Sequence, residues 1–77
     1  MKWKTIVGQH CYASVEGYEL VVDPYQGMFR ATVCFWDADN WPTITEAGRY
    51  YETLRLAKAA AVRLWKRTAK ERGKQCQ

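Results

Sequence analysis

Apolar residues recur at every second position, or in short bursts cut by turn residues, between Trp3 and Ala47; beyond Thr53 they recur every third or fourth. The first pattern predicts strands and the second a helix. Trp3 to Val7 reads as a short first strand ended by Gly8-Gln9, and His10 to Val15 as a second closed by Glu16-Gly17, a pair suited to a tight hairpin. Tyr18, Leu20 and Val22 then alternate with Glu19, Val21 and Asp23, which puts three apolar side chains on one face. Asp23-Pro24-Tyr25-Gln26-Gly27 reads as a turn cluster. After it, Phe29, Ala31, Val33 and Phe35 alternate with Arg30, Thr32, Cys34 and Trp36, the clearest strand in the chain. A polar, acidic turn over residues 37 to 42 precedes an edge strand around Thr43 to Ala47.

Thr53 is a good N-cap, and nothing from Leu54 to Glu71 breaks a helix. At 100° per residue, Leu54, Ala57, Ala61, Leu64, Trp65 and Thr68 share the side that packs, while Arg55, Ala59, Arg63, Lys66 and Lys70 share the opposite side. Gly73 is placed to act as a C-cap, with a fraying tail over 73–77. The predicted fold class is α+β: a single domain over residues 1–77, an antiparallel meander of three to five strands within 3–50, packed by one C-terminal helix over about 53–72.

Composition narrows the function class. With 77 residues, 26% charged and 48% hydrophobic, the chain lies near the lower limit for burying its own core, which leaves little surplus for a strained, water-excluding active site. No carboxylate pair, glycine-rich phosphate loop or nucleophile with a placed base is found, so no enzymatic activity and no cofactor is expected. No stretch has the length of a membrane span, and Met1-Lys2-Trp3-Lys4 lacks the apolar segment of a signal peptide, so a cytoplasmic location is expected. Cys11, Cys34 and Cys76 are odd in number and form no C-x-x-C pair, which argues for reduced thiols. His10 and Cys11 are neighbours on a strand and point to opposite faces, so they do not converge on a zinc ion or form a nucleophile–base pair.

The net charge of +4 is unevenly spread. Residues 1 to 52 carry four cations against seven carboxylates, and residues 53 to 77 carry eight cations against Glu71 alone. A basic C-terminal segment favours association with polyanions or acidic surfaces.

The order of a Trp near the start, Gly-Tyr-x-Leu-x-Val at 17 to 22, Gly-x-Phe-x-Ala-x-Val at 27 to 33 and Gly-x-Tyr-x-x-Thr-Leu-x-x-Ala-Lys-x-Ala-Ala at 48 to 61 resembles small proteins of phages and bacterial mobile elements. That group includes anti-CRISPR and other anti-defence inhibitors of this size. The resemblance implies an antiparallel sheet crossed by one helix. A weaker likeness, to three-strand-plus-helix DNA-binding domains of phage-integrase type, implies DNA reading by Arg30, Thr32 and Trp36 on the exposed sheet face, where Glu19 and Asp23 would also stand.

Two modes of action follow. In the first, the chain binds a host protein or nucleoprotein complex through Arg30, Trp36, Asp37, Asp39 and Trp41, because exposed aromatics ringed by charge suit interface hot spots. In the alternative, Arg55, Arg63, Lys66, Arg67 and Lys70 form a helical stripe that tracks a nucleic-acid backbone. Two sheets burying their outer faces against each other would give a homodimer.

Overall fold

The computed structural model describes residues 2–36 and 42–75. The elements run β1 (Lys4–Val7), β2 (His10–Val15), β3 (Tyr18–Tyr25), β4 (Met28–Trp36), β5 (Pro42–Glu46) and α1 (Leu54–Gln75). The five strands form one antiparallel sheet in the order β1-β2-β3-β4-β5. This is the predicted α+β meander with one helix, at the upper end of the expected strand count. Among the described residues no helix is long and apolar enough to cross a membrane.

Two hairpins set the register. Glu16-Gly17 joins Val15 to Tyr18, and Gln26-Gly27 joins Tyr25 to Met28. All four turn residues have positive φ, between 50° and 84°, the two-residue turn whose twist matches that of the flanking strands.

The second hairpin differs from the sequence expectation. Asp23, Pro24 and Tyr25 belong to β3 rather than to a long turn, and pair with Arg30, Phe29 and Met28. A proline is tolerated here because of hydrogen-bond parity. Ala47 N–H donates to Ala31 C=O and Phe29 exchanges both bonds with Tyr51, so odd-numbered positions at this end of β4 bond toward β5 and Arg30 bonds toward Asp23. The missing N–H of Pro24 therefore faces the β2 side, where the pairing runs no further along β3 than Cys11↔Val22.

The core lies between one sheet face and α1. Tyr18, Leu20, Val22, Ala31, Val33 and Phe35 supply the sheet side; Ala57, Ala60, Ala61 and Leu64 supply the helix side. The alanines let the helix approach β3 and β4 closely, and Leu64 fills the remaining space. Thr53 Oγ1 accepts the Leu56 N–H, which confirms the N-cap. Thr68, buried on the packed face, donates its hydroxyl to Leu64 C=O at 2.8 Å, so its burial leaves no stranded polar group.

Two expectations for the helix are corrected. Leu54 and Trp65 are only half-buried: they pack against the margin of the core, and the Trp65 Nε1 is shielded without a partner. Gly73 does not cap the helix, which continues through Gln75. Its final turns are held by Arg72, whose Nη1 donates to the Tyr18 hydroxyl at 3.1 Å and whose guanidinium lies 4.2 Å from the Phe35 ring centre.

Leu64→Ala is expected to lower unfolding free energy by about 2–5 kcal/mol, the usual range for emptying a buried leucine site. Trp65→Ala is expected to cost less than Leu64→Ala, because a half-buried ring loses fewer contacts and a shielded N–H without a partner goes with it. Urea unfolding of both variants measures the order.

Candidate functional site

A helix across one face of a sheet leaves the other face bare. The alternation that sends Leu20, Val22, Ala31 and Val33 inward sends Tyr12, Ser14, Glu19, Val21, Asp23, Arg30, Thr32, Cys34, Trp36, Ile44 and Glu46 outward. Register then decides the neighbours. Val21 sits between Tyr12 and Thr32, and Cys34 sits between Glu19 and Ile44. Trp36 is 52% exposed and Ile44 61% exposed, large apolar groups with nothing over them among the described residues.

Two shallow hollows divide this face. One lies between Trp36 and the β2–β3 hairpin and is lined by Ser14, Gly17 and Glu19. The other is lined by His10, Val21, Arg30, Thr32, Cys34 and Ile44, with Asp23 and Glu46 at its polar end. Arg30 grips the Asp23 carboxylate with two bonds, Nε to Oδ1 at 3.2 Å and Nη2 to Oδ2 at 2.8 Å, and its Nη1 lies 3.8 Å from Glu46 Oε1. The side-chain bond to Asp23 raises the guanidinium pKa further above its ordinary value, burial opposing it, so Arg30 is a fixed cation at every accessible pH. The Tyr25 ring lies 5.0 Å from that guanidinium and stacks tilted on Tyr50, also at 5.0 Å. The polar end is thus an ordered plate whose charges already satisfy one another.

The candidate residues divide accordingly. Arg30 and Trp36 share the bare face, but an offset of six positions along β4 separates them by about 20 Å, so they mark opposite ends of the surface rather than one cluster. Asp37, Asp39 and Trp41 lie outside the described residues. On the far side of the molecule Arg55, Arg63, Lys66, Arg67 and Lys70 are all exposed, and none forms an ion pair among the described residues. From Arg55 to Lys70 the stripe spans about 22 Å of helix.

The bare face carries Glu19, Asp23 and Glu46 against Arg30, so it lacks the cationic character of sheet-face DNA readers. Glu46 and Ile44 escaped sequence reasoning because the edge strand was read without a partner register. Arg72 and Tyr50 escaped it because their contacts are tertiary. His10 faces outward while Cys11 is buried, as the strand geometry required, and no group of three or more His, Cys, Asp or Glu suited to a metal occurs among the described residues.

Comparison with family models, with curated proteins and with solved structures returns no match to this chain.

Cys34 lies in the second hollow, and its thiol pKa is pushed up by burial first and by the neighbouring Glu19 carboxylate second. Thiolate is the reactive form, so Cys34 is expected to react with iodoacetamide at about pH 8, near an ordinary thiol pKa, several-fold more slowly than a cysteine in an unstructured peptide. Urea should remove the difference; peptide mapping by mass spectrometry follows it.

Proposed function

We propose that this chain is a non-catalytic binding protein that docks a host protein or nucleoprotein complex through the bare face of its sheet. The observation that carries the reading is the exposure of Trp36 and Ile44 on a face where Arg30 already binds Asp23 and lies near Glu46. Exposed aromatic and aliphatic groups with a polar, hydrogen-bonded margin are the composition of an interface centre and its rim. The dimensions suit it. Five strands at about 4.8 Å spacing span about 19 Å, and β4, the longest, spans about 30 Å at about 3.3 Å per residue, so the face supplies the larger part of an interface of about 800 Å² per partner and its margins the rest. The resemblance to phage and mobile-element proteins supports an anti-defence role for such docking, with a bacterial protein or nucleoprotein as the target.

A second reading is favoured by a separate observation. The five exposed helix cations lack acidic partners among the described residues and lie on the side of the molecule opposite the sheet face. They suit a polyanion, and a nucleoprotein target could engage both sides at once.

Trp36→Ala is expected to weaken capture of a target from bacterial lysate at least about tenfold, equivalent to about 1.4 kcal/mol, with an unchanged melting temperature. Joint replacement of Arg55, Lys66 and Lys70 by Gln is expected to leave nuclease-treated capture intact while lowering the salt sensitivity of any nucleic-acid binding. Loss of capture in the triple variant or on nuclease treatment, with Trp36→Ala silent, assigns the function to the helix instead.

A further inference from the structure

Among the described residues both ends of the meander expose an unpaired strand edge, and the two edges differ. β1 is exposed at all four residues, with Ile6 57% and Val7 70% exposed, but its register slips between Thr5 and Val7, and Lys2 and Lys4 stand beside it. A bulge and lysines are what proteins use to keep other strands off an edge. β5 has neither. It pairs residue for residue with β4 from Thr32↔Glu46 to Trp36↔Pro42. Ala47 N–H bonds to Ala31 C=O, so odd positions of β5 bond inward and the backbone N–H and C=O groups of Ile44 and Glu46 point outward.

The surfaces above and below that edge are chemically different. On the helix side, a groove between α1 and the chain after β5 is lined by Ala47, Gly48, Tyr51, Ala60, Arg63 and Arg67. Arg67 also lines the adjoining groove beside Thr45, where Glu71 and Arg72 close the far end. Arg63 and Arg67 are exposed and have no ion-pair partner among the described residues. On the other side, Ile44 stands open next to the bare face. A strand added to β5 would lie about 4.8 Å beyond it, within reach of an extended arginine. Its residues opposite Thr43 and Thr45 would face the arginines, and the residue opposite Ile44 would face Ile44.

We propose that the β5 edge accepts an extended peptide strand of the partner in which acidic residues alternate with apolar ones. This rests on the protein-binding reading above and states the chemistry of the partner segment. The backbone supplies the pairing at Ile44 and Glu46, the arginines select carboxylates on one face of the incoming strand, and Ile44 selects an apolar side chain on the other. Glu46, held near Arg30, disfavours a carboxylate directly opposite itself.

The test uses the intact chain and three capped heptapeptide probes: Val-Asp-Val-Asp-Val-Asp-Val, its lysine counterpart, and a block peptide of the same composition as the first with its acids contiguous. The alternating acidic peptide is expected to bind best and to slow amide exchange of Ile44 and Glu46 at least about tenfold at saturation, because both amides become hydrogen-bonded. Arg67→Gln is expected to weaken binding about two- to fivefold, the scale of an exposed ion pair, with a loss of salt dependence. Ile44→Pro removes an outward N–H that β4 does not use, and is expected to abolish binding while the melting transition persists.

Equal affinity for the lysine or block peptide, or protection appearing in β1 instead, would overturn the proposal. Binding of an oligothymidylate probe without protection of Ile44 and Glu46, with no peptide bound, would assign the arginines to a polyanion and also overturn it. If the peptides fail while Trp36→Ala still abolishes target capture, the edge proposal falls alone. If Trp36→Ala is silent while both amides are protected, the sheet-face reading falls and the edge stands.

Discussion

One helix has to cover a five-stranded sheet, and it is too narrow to do so. A helix with its side chains is about 10–12 Å across, little more than two strands at about 4.8 Å. α1 accordingly packs on β3 and β4, where Ala57, Ala60 and Ala61 bring its backbone close to Leu20, Val22, Ala31 and Val33. Every other property of the surface follows from that shortfall. β1 is exposed throughout, β5 borders a groove instead of a core, and the opposite face of the sheet has no cover among the described residues.

The charge distribution is arranged around the same geometry. Cations concentrate on α1, with Arg63 and Arg67 flanking the β5 side and all of them across the sheet from the carboxylates of the bare face. Those carboxylates are in turn organised by Arg30, which draws Asp23 and Glu46 together from two neighbouring strands. The molecule therefore presents two surfaces of different character with a hydrophobic layer between them. Partners of different chemistry can be engaged without competing for one patch.

Much of this fold was legible in the sequence, because the signals were local. Alternation from Tyr18 to Val22 and from Phe29 to Phe35, the positive-φ pairs Glu16-Gly17 and Gln26-Gly27, and the Thr53 cap each act within a few residues. Pro24 misled because its tolerance depends on where β2 begins, a matter of register rather than propensity. Gly73 misled because Arg72 holds the last turns from across the core. The candidate surface was legible only in part. Trp36 announced itself as an aromatic on the polar side of a strand, whereas Ile44 and Glu46 acquire meaning only once β5 is aligned with β4.

The meander order has a consequence for how the chain reaches this structure. Every strand pairs with the next strand in sequence, and three of the connections are two residues long, so the sheet is joined through short loops with low closure entropy. The contact from Arg72 to Tyr18 bridges 54 positions, so it closes a far longer loop than any of these turns. The buried cluster joins α1 to β3 and β4, so the Arg72–Tyr18–Phe35 latch ties the most local part of the chain's pairing to one of its most distant contacts.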